Sequence, residues 1–487
     1  MNIQDLALHT DKYEINMMYA HWMNGTMNDR AVFEAYFRKL PFGNGYAVFA
    51  GLQRIVEYIQ NLRFSQDDIQ YLAEQEEQYD RAFLQMLREF RFRGNLYSVQ
   101  EGEVVFPNEP LLRVEGTILE TQLVETAILN FLNYQTLIAT KASRIVRVAE
   151  GDGLLEFGSR RAQEADAAVW GARATYIAGF DATSNMLAGK LFGIPTKGTH
   201  AHSWVQGHDS EEESFMKYAN ALPDQVALLV DTYDTLEKGI PNAIKTAHML
   251  ERKGKRMQSI RIDSGDLAYL SKKAREQLDK AGLDYVQIVV SNDLDEHLIF
   301  NLKAQGAKVD TWGVGTRLIT AEDQPSLGGV YKLVAREKNG ELIPVIKISG
   351  NQEKITTPGK KEVFRLIDQT TGKAISDYIT LASEKNVLTK DQIELCDPSQ
   401  PHMSGFAENF KAIQLLHPII VNGELVYDLP DLQQIRSFHR EQMELFEPEL
   451  LRLLNPEIYP VYLSPKTWQL KMDMIREYKK EVRLERV

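Results

Sequence analysis

Two adjacent arginines, Arg160 and Arg161, stand among glycine and serine residues a short distance after Glu156. Neighbouring guanidinium groups in such a setting can bind a phosphate or a carboxylate through pairs of parallel hydrogen bonds. The alternative is a surface ion pair with Glu156 or Glu164, which is the commoner outcome for an isolated Arg-Arg pair. The segment therefore predicts either an anion site or an ion pair, and the other motifs of the chain are needed to distinguish the two.

Two histidines, His200 and His202, lie two residues apart after Gly198. On a β-strand this spacing turns both imidazoles to one face. It is also typical of paired ligands in zinc-dependent barrel hydrolases, for which Asp263 is a candidate further ligand. The remaining histidines of this region do not follow apolar runs, which disfavours the metal site. A hydrogen-bonded structural imidazole is the alternative for either histidine singly.

A cation and an anion alternate in the segment Arg261-Ile-Asp263, which Gly265 and Asp266 follow. On a strand Arg261 and Asp263 share a face. A carboxylate there can hold ribose hydroxyls or a metal-bound water, while the arginine can bind an acidic substituent on a ring. For Asp266 we prefer a simpler role as the N-cap of the helix that follows.

Glycines and a threonine close another apolar run in the segment Gly313-Val-Gly315-Thr316. The pattern is typical of the phosphate cradles that follow late strands of β/α barrels. It lacks the third glycine and the strand–helix context of a dinucleotide fingerprint. The chain also lacks a Gly-x4-Gly-Lys-[Ser/Thr] loop, so any use of ATP must go through another site.

Short apolar runs, each followed by polar residues and a helix-like segment, must position these groups. The polar residues that follow the runs at 226–230, 259–262, 286–290 and 309–314 include Asp231, Asp263, Asn292 and Thr316. The acidic clusters recur about 30 residues apart, which is the length of one βα unit. Continuous apolar strands predict a parallel sheet that is buried on both faces. We favour a β/α barrel with its active site at the strand ends over a doubly wound open sheet, which produces the same local pattern.

The change in this pattern along the chain predicts three domains. Residues 1–135 mix helices with short strands, and Ser65 is a candidate N-cap. Residues 136–345 carry the βα units, and residues 346–487 hold turns, a strand over 412–421 and a terminal helix. We expect an α/β fold in which the middle domain carries the active site and the C-terminal region packs on the other two.

Composition excludes several classes of protein. The 487 residues carry 56 Lys and Arg against 68 Asp and Glu, and the net charge of −12 disfavours nucleic-acid and anionic-membrane partners. Cys396 is the single cysteine, so no intrachain disulfide and no cysteine-built metal cluster can form. We expect no membrane span and no signal peptide, because no apolar run approaches the required length. These features predict a cytoplasmic protein.

Six motifs occur in order along nearly the whole chain, from Thr10-Asp-Lys-Tyr13 to the terminal helix, and together they closely resemble the bacterial nicotinate phosphoribosyltransferase family. They are Tyr36-Phe-Arg-Lys-Leu-Pro-Phe-Gly-Asn-Gly-Tyr46, Glu156-Phe-Gly-Ser-Arg-Arg161, Gly198-Thr-His-Ala-His-Ser-Trp204, Ile260-Arg-Ile-Asp-Ser-Gly-Asp266, Gly313-Val-Gly-Thr316 and Gln324-Pro-Ser-Leu-Gly-Gly-Val-Tyr-Lys332.

The resemblance implies an irregular β/α barrel of the type II phosphoribosyltransferase kind, with an N-terminal α/β domain and a C-terminal extension. It implies transfer of phosphoribose from phosphoribosyl pyrophosphate to nicotinate, which gives nicotinate mononucleotide and pyrophosphate in NAD biosynthesis. It also implies coupling to ATP hydrolysis, Mg²⁺ as cofactor, and a homodimer with shared active sites. A nicotinamide phosphoribosyltransferase stays open as an alternative, as does, less favoured, the metal-dependent hydrolase built on His200 and His202.

The resemblance also assigns roles to site residues. His202 matches the histidine that becomes transiently phosphorylated, and Arg261 and Asp263 are expected to act with it. Nicotinate is expected to contact Tyr13 from the partner subunit, Thr199, Arg261 and Asp181. The phosphoribosyl and pyrophosphate groups are expected to contact Arg160, Arg161, Asp231, Asp263, Asn292, Gly315 and Thr316. No metal ligand is assigned.

Overall fold

The computed structural model describes residues 6–384, 387–389, 391–398 and 400–484. The chain divides into two compact units. Unit 1 takes its described residues from Met1–Leu137 and Ser326–Val487, and unit 2 spans Ile138–Pro325. Each unit is therefore described by itself.

The N-terminal part of unit 1 alternates helices with short strands. Its elements are α1 (Lys12–Met23), β1 (Arg30–Phe37), β2 (Ala47–Val48), α2 (Leu52–Asn61), α3 (Gln66–Ala73), α4 (Arg81–Glu89), β3 (Asn95–Ser98), β4 (Val104–Val105), β5 (Leu112–Thr117), α5 (Ile118–Leu123) and α6 (Glu125–Ala149), whose later turns belong to unit 2. Ser65 and Asp68 form a reciprocal capping box at the start of α3, which confirms the predicted N-cap.

Unit 2 is a series of strands and helices in alternation. It contains β6 (Gly153–Glu156), α7 (Glu164–Ile177), β7 (Ala182–Thr183), α8 (Met186–Phe192), α9 (His202–Gln206), α10 (Glu211–Ala221), β8 (Ala227–Leu229), α11 (Ile240–Arg252), β9 (Ser259–Ile262), α12 (Leu267–Lys280), β10 (Gln287–Ser291), α13 (Glu296–Ala304), β11 (Thr311–Val314) and α14 (Thr316–Ile319). Asp266 and Asp295 cap α12 and α13 by accepting backbone N–H groups, and the first of these caps was predicted.

The C-terminal part of unit 1 is mainly strand. It contains β12 (Gly329–Lys338), β13 (Glu341–Pro344), β14 (Lys361–Asp368), β15 (Ala374–Leu381), β16 (Gln392–Leu395), β17 (Gly405–Glu408), β18 (Phe410–Gln414), β19 (His417–Val421), β20 (Glu424–Leu425), α15 (Leu432–Glu444), β21 (Val461–Leu463) and α16 (Pro465–Leu484). The single strand predicted over 412–421 is wrong. Leu415 still donates its N–H to Val363 of β14, whereas His417 pairs with Ser98 of β3, so the chain passes between two sheets.

Two sheets organise unit 1 in the part of the chain that the structure describes. A seven-stranded sheet has the order β13-β12-β1-β5-β3-β19-β20. A four-stranded sheet has the order β18-β14-β15-β21. Strands β19 and β20 of the predicted third region, 346–487, therefore extend the sheet that the N-terminal strands begin.

Buried ion pairs join the strands of unit 1. Glu34 of β1 pairs with Lys361 of β14 at 2.7 Å, and both side chains are buried. Arg365 of β14 is fully buried and donates to both carboxylate oxygens of Asp377 at 2.9 and 2.8 Å. Because an unpaired buried charge costs several kcal/mol, these pairs fix the register between the strands that carry them.

The sheet of unit 2 is parallel throughout and has the order β7-β6-β11-β10-β9-β8. From β8 to β11, neighbouring strands follow one another in chain order. The first strand of the unit, β6, then pairs with the last strand, β11, as in a ring. The ring opens between β7 and β8. The barrel prediction is confirmed in the form of a curled half-barrel, and the doubly wound alternative is wrong because its strand order would reverse within the sheet.

The segment 196–200 connects to both edges of this opening. Thr196 forms a parallel bridge with Thr183 of β7, and Lys197 donates its N–H to the Thr183 carbonyl at 3.0 Å. On the other side the Nε2 atom of His200 accepts the N–H of Leu229 of β8 at 3.2 Å. An imidazole thus satisfies a backbone donor that a further strand would otherwise satisfy.

Among the described residues, no helix combines the length and the apolar character that a membrane crossing requires.

His439 of α15 provides a test of packing in unit 1. Its ring is buried, its Nδ1 bonds the Gly102 carbonyl at 2.9 Å, and burial lowers its pKa to about 4. The unfolded chain binds this proton near pH 6.5, so the free energy of unfolding should fall as pH drops from 6.5 to about 4. The expected loss is about 3 kcal/mol.

We predict that His439→Gln removes this pH-dependent part, because glutamine does not titrate. Urea unfolding at pH 7.0, 5.5 and 4.5 measures it, with the exposed His297→Gln as the matched control. Equal pH slopes in the parent protein and in His439→Gln would contradict the prediction.

Candidate active site

The carboxyl ends of the strands of unit 2 lie level with one another. The register pairs that fix this are Leu229 with Arg261, Ile262 with Val290, Ser291 with Gly313, and Val314 with Glu156. Residues that follow the strands therefore meet at one edge of the half-barrel, as the sequence predicts.

The Arg261 guanidinium is held by three neighbours at this edge. Its Nε donates to the Ser291 hydroxyl at 2.8 Å, its Nη1 to the Thr199 hydroxyl at 3.2 Å, and its Nη2 to Oδ1 of Asp263 at 2.9 Å. It also lies over the ring of Phe157, 5.5 Å from the centroid. These contacts fix the plane of the guanidinium, so its position is set before any ligand binds.

Two carboxylates and one imidazole stand beside this arginine. Oδ2 of Asp231 accepts the backbone N–H of Asp263 at 2.9 Å and the Ser264 hydroxyl at 2.6 Å. Oδ1 of Asp231 is buried and has no hydrogen-bond partner among the described residues. The Nε2 atom of His202 lies 4.0 Å from that oxygen and 3.9 Å from Oδ2 of Asp263.

His202 is exposed enough to meet a ligand, with 41% of its side chain accessible. It opens helix α9, and its Nδ1 forms a hydrogen bond of 3.1 Å with the Thr232 hydroxyl. With Nδ1 so occupied, Nε2 is the nitrogen that faces the two carboxylates. The hydrogen bond of Nδ1 therefore orients the ring, and Nε2 is left facing Asp231 and Asp263.

His200 does not share a strand face with His202. It lies in the irregular segment before α9, it is buried, and burial lowers its pKa. Its Nε2 accepts the Leu229 N–H, so that lone pair is not available to a metal ion. The predicted pair of histidine ligands is therefore wrong, and the described residues contain no group of three or more acidic, histidine or cysteine side chains arranged for a metal ion.

Arg160 and Arg161 lie in the exposed turn directly after β6. The predicted alternative, an ion pair with Glu156, is wrong. Glu156 is buried and accepts the Thr183 hydroxyl at 2.5 Å and the Gly158 N–H. Burial raises the pKa of Glu156, and its carboxyl group connects β6 with β7. Both arginines are therefore presented to solvent at the barrel edge.

The turns after β10 and β11 complete the edge. Asn292 is exposed and has a left-handed backbone with a φ of 108°. Gly315 and Thr316 follow β11, and Thr316 opens the short helix α14. A Cβ atom at Gly315 would lie 3.2 Å from the Phe157 carbonyl oxygen, so glycine permits the close approach of these two turns.

Asp181 and Tyr13 occupy different settings. Asp181 precedes β7 rather than following it, and its Oδ2 accepts the Leu154 N–H at 2.9 Å. Tyr13 belongs to α1 of unit 1, and half of its side chain is exposed. Their predicted roles in nicotinate binding stay predictions.

Sequence reasoning missed Ser291 and Thr232 as members of the cluster. Ser291 donates its hydroxyl to Oδ1 of Asp263 and accepts from Arg261, and Thr232 bonds His202. Ser291 is not among the site residues predicted from the sequence. Its position at the end of β10, beside the strand that carries Arg261, is the signal that would have found it.

The fold and this edge define a parallel β/α half-barrel in which a guanidinium, two carboxylates and an imidazole lie together at the carboxyl ends of the strands. Three family models match the chain: the nicotinate phosphoribosyltransferase N-terminal domain over residues 8–133, the nicotinate phosphoribosyltransferase family over 153–377, and its C-terminal domain over 360–471.

The chain is 51% identical to a nicotinate phosphoribosyltransferase of Bacillus subtilis, over 98% of this chain and 96% of the relative. It is 37% identical to one of Caenorhabditis elegans, over 96% and 94%. The crystal structure of human nicotinic acid phosphoribosyltransferase superposes with a TM-score of 0.85 at 31% identity, over 95% of this chain and 99% of the human one. The chain belongs to the nicotinate phosphoribosyltransferase family.

A substitution at Gly313 tests the packing of Phe157 and Ser291, which contact Arg261. A Cβ atom at this position would lie 2.8 Å from the Phe157 ring and 3.2 Å from Cβ of Ser291, the two residues that contact Arg261. We predict that Gly313→Ala lowers the free energy of unfolding by about 1–3 kcal/mol through overpacking. Denaturant unfolding measures this.

Gly405→Ala is the matched control, because nothing lies within 4 Å of the Cβ atom it would add. A Gly313→Ala protein as stable as this control would contradict the packing described around Phe157.

Proposed function

We propose that the protein transfers phosphoribose from phosphoribosyl pyrophosphate to nicotinate, giving nicotinate mononucleotide and pyrophosphate for NAD biosynthesis. The observation that carries the proposal is the fixed guanidinium of Arg261 beside Thr199 and Asp263 at the barrel edge. A planar cation of this kind can bind the ring carboxylate that distinguishes nicotinate from nicotinamide. The names of the relatives in bacteria, nematodes and humans support the same substrate.

In the proposed reaction the bond from ribose C1 to the pyrophosphate oxygen breaks, and the pyrophosphate leaves with the electron pair. The nitrogen lone pair of nicotinate forms the new bond to C1. Positive charge develops on the ribose between these events, and the carboxylates of Asp231 and Asp263 can stabilise it. Arg160 and Arg161 supply cations for the pyrophosphate, and Asn292, Gly315 and Thr316 line the edge where the ribose phosphate would bind.

We propose that Asp231 and Asp263 also hold Mg²⁺. The buried and unpartnered Oδ1 of Asp231 supports this, since a carboxylate oxygen withdrawn from water needs a cation or a donor. One or two carboxylates together with substrate phosphates are the usual magnesium ligands in phosphate chemistry. When bound, Mg²⁺ neutralises charge on the pyrophosphate group.

We further propose that ATP phosphorylates His202. Its Nε2 lone pair attacks the γ-phosphorus, a P–N bond forms, the bridging P–O bond breaks, and ADP leaves with the electron pair. Hydrolysis of the phosphohistidine by water then returns the free imidazole and phosphate. The phosphoryl group adds a charge of about −2 beside Asp231 and Asp263, which couples ATP use to turnover by changing the charge of the site.

A homodimer with shared active sites is part of the proposal. Three apolar side chains of α8 are exposed, Met186 by 72%, Leu187 by 50% and Leu191 by 58%. Clusters of exposed apolar side chains mark protein interfaces more often than free surface. Tyr13 is exposed on α1, and we propose that it stacks on the nicotinate ring of the partner subunit while Asp181 contributes to the same pocket.

The proposed setting is the cytoplasm. The single cysteine, Cys396, is free, as expected where thiols stay reduced. The net charge of −12 makes nucleic acids and anionic membranes unfavourable partners.

Arg261→Ala should weaken the use of nicotinate. Losing one charge-assisted contact to the ring carboxylate costs about 2–3 kcal/mol, which corresponds to a fall in kcat/KM of about 30- to 150-fold. Steady-state kinetics with nicotinate measure it, and the exposed Arg252→Ala is the control, which should keep the parent value. A folded Arg261→Ala protein with unchanged kcat/KM would refute the assignment.

His202→Ala should retain slow synthesis without ATP and lose both ATP hydrolysis and ATP stimulation. Incubation with γ-labelled ATP should put acid-labile label on the parent protein and on a His200→Ala protein, but never on His202→Ala. Label that persists in His202→Ala, or that disappears only in His200→Ala, would show that the other histidine is phosphorylated.

Tyr13→Ala and Arg261→Ala should complement each other if sites are shared. Random exchange of equal amounts makes about half of the dimers mixed, and each mixed dimer has one intact site of two, so about a quarter of the parent activity should return. The readout is turnover after subunit exchange has been verified by mass spectrometry. No recovered activity would mean that Tyr13 acts within its own subunit.

A further inference from the structure

Unit 1 contains a cavity of about 1210 Å³ whose lining residues include none of the residues assigned to the barrel edge. Apolar and aromatic side chains dominate its wall, among them Tyr36, Phe106, Ile379, Tyr459 and Leu463. This volume is somewhat larger than the roughly 300–1,000 Å³ of most cavities that bind small organic ligands. Its apolar lining favours a ligand with an apolar body.

One face of the C-terminal helix α16 closes the cavity. Trp468, Lys471, Met472 and Ile475 all line it, and their spacing of three, four and seven residues places them on one side of the helix. Three of these residues are apolar and one carries a positive charge. The charge is therefore isolated on an otherwise apolar helix face.

Lys471 has no counterion among the described residues. Its Nζ donates to the Thr357 hydroxyl at 3.2 Å, and no carboxylate lies within 4 Å of it among the described residues. Burial and the nearby positive charge of Lys361 lower the pKa of Lys471 to about 8. The ammonium group thus stands in the cavity with a single neutral hydrogen-bond acceptor.

Three of the other charged residues that line the cavity have partners of their own. Glu34 and Lys361 pair with each other at 2.7 Å, and Lys361 also donates to the carbonyl oxygens of Thr357 and Gly359. Glu353 pairs with Lys39 at 3.1 Å. The further acidic residues of the wall are Asp397 and Glu457.

We propose that this cavity binds an organic anion with an apolar, ring-containing body, whose anionic group pairs with the ammonium of Lys471. The apolar wall accepts the rings, and the unpaired cation sets the orientation. An anionic group beside Lys471 also removes the energetic cost of leaving that charge unpaired in a poorly solvated setting.

The test uses two fluorescent probes of similar shape. 1-Anilinonaphthalene-8-sulfonate carries a sulfonate that does not titrate between pH 6 and 10, whereas N-phenyl-1-naphthylamine is neutral. At pH 7 the anionic probe should saturate at one molecule per chain on the parent protein. Lys471→Met should lower the affinity for the anionic probe by about tenfold or more and change the affinity for the neutral probe by less than about twofold.

Lys466→Met is the matched control, since Lys466 is an exposed lysine of the same helix and should leave both affinities at the parent values. Retained binding of the neutral probe to Lys471→Met shows that the cavity is still formed. Raising the pH from 7 to 9.5 should lower the affinity of the parent protein for the anionic probe and leave that of Lys471→Met unchanged.

Three results would overturn the proposal. They are absence of saturable binding of the anionic probe to the parent protein, equal affinity of that probe for the parent and Lys471→Met, and its displacement by phosphoribosyl pyrophosphate. The last result would place the probe at the barrel edge instead.

Discussion

The Arg261 guanidinium keeps its positive charge at any physiological pH, and it is only partly exposed, so it requires acceptors within the barrel edge. Asp263 supplies one from the same segment, Ser291 one from the neighbouring strand β10, and Thr199 one from the irregular segment before α9. The Ser291 contact requires β9 and β10 to end at the same level. The position of the cation is therefore a consequence of sheet register, and the neighbouring carboxylates and imidazole take their places around it.

The opening of the barrel explains why the segment with the two histidines is irregular. Between β7 and β8 a strand would normally satisfy the edge donors, and here the His200 imidazole accepts one of them. This bond holds the segment to β8, and the contacts of Thr196 and Lys197 hold it to β7. His202 then opens α9, and its Nε2 faces Asp231 and Asp263. His200 thus bonds the edge of the sheet, whereas the Nε2 of His202 faces the two carboxylates.

The βα units, the barrel and the polar strand ends could be predicted because each rests on local patterns and on one rule about parallel sheets. The role of His200 could not, because it depends on which backbone donor lies opposite the imidazole in the folded sheet. The three-domain division failed to anticipate that β19 pairs with β3, since a pairing across more than 300 residues leaves no local pattern. Family motifs supplied the predicted site residues, whereas the hydrogen bonds around Arg261 and His202 are visible only in the structure.

The measurement that tests the central claim most directly is product formation by the purified protein with nicotinate and nicotinamide side by side. Each substrate is supplied with phosphoribosyl pyrophosphate and Mg²⁺, with and without ATP, and the mononucleotide and pyrophosphate are quantified. The account predicts nicotinate mononucleotide and pyrophosphate in equal amounts, with faster formation in the presence of ATP and little product from nicotinamide. Equal or preferential use of nicotinamide, or no mononucleotide from either substrate, would contradict it.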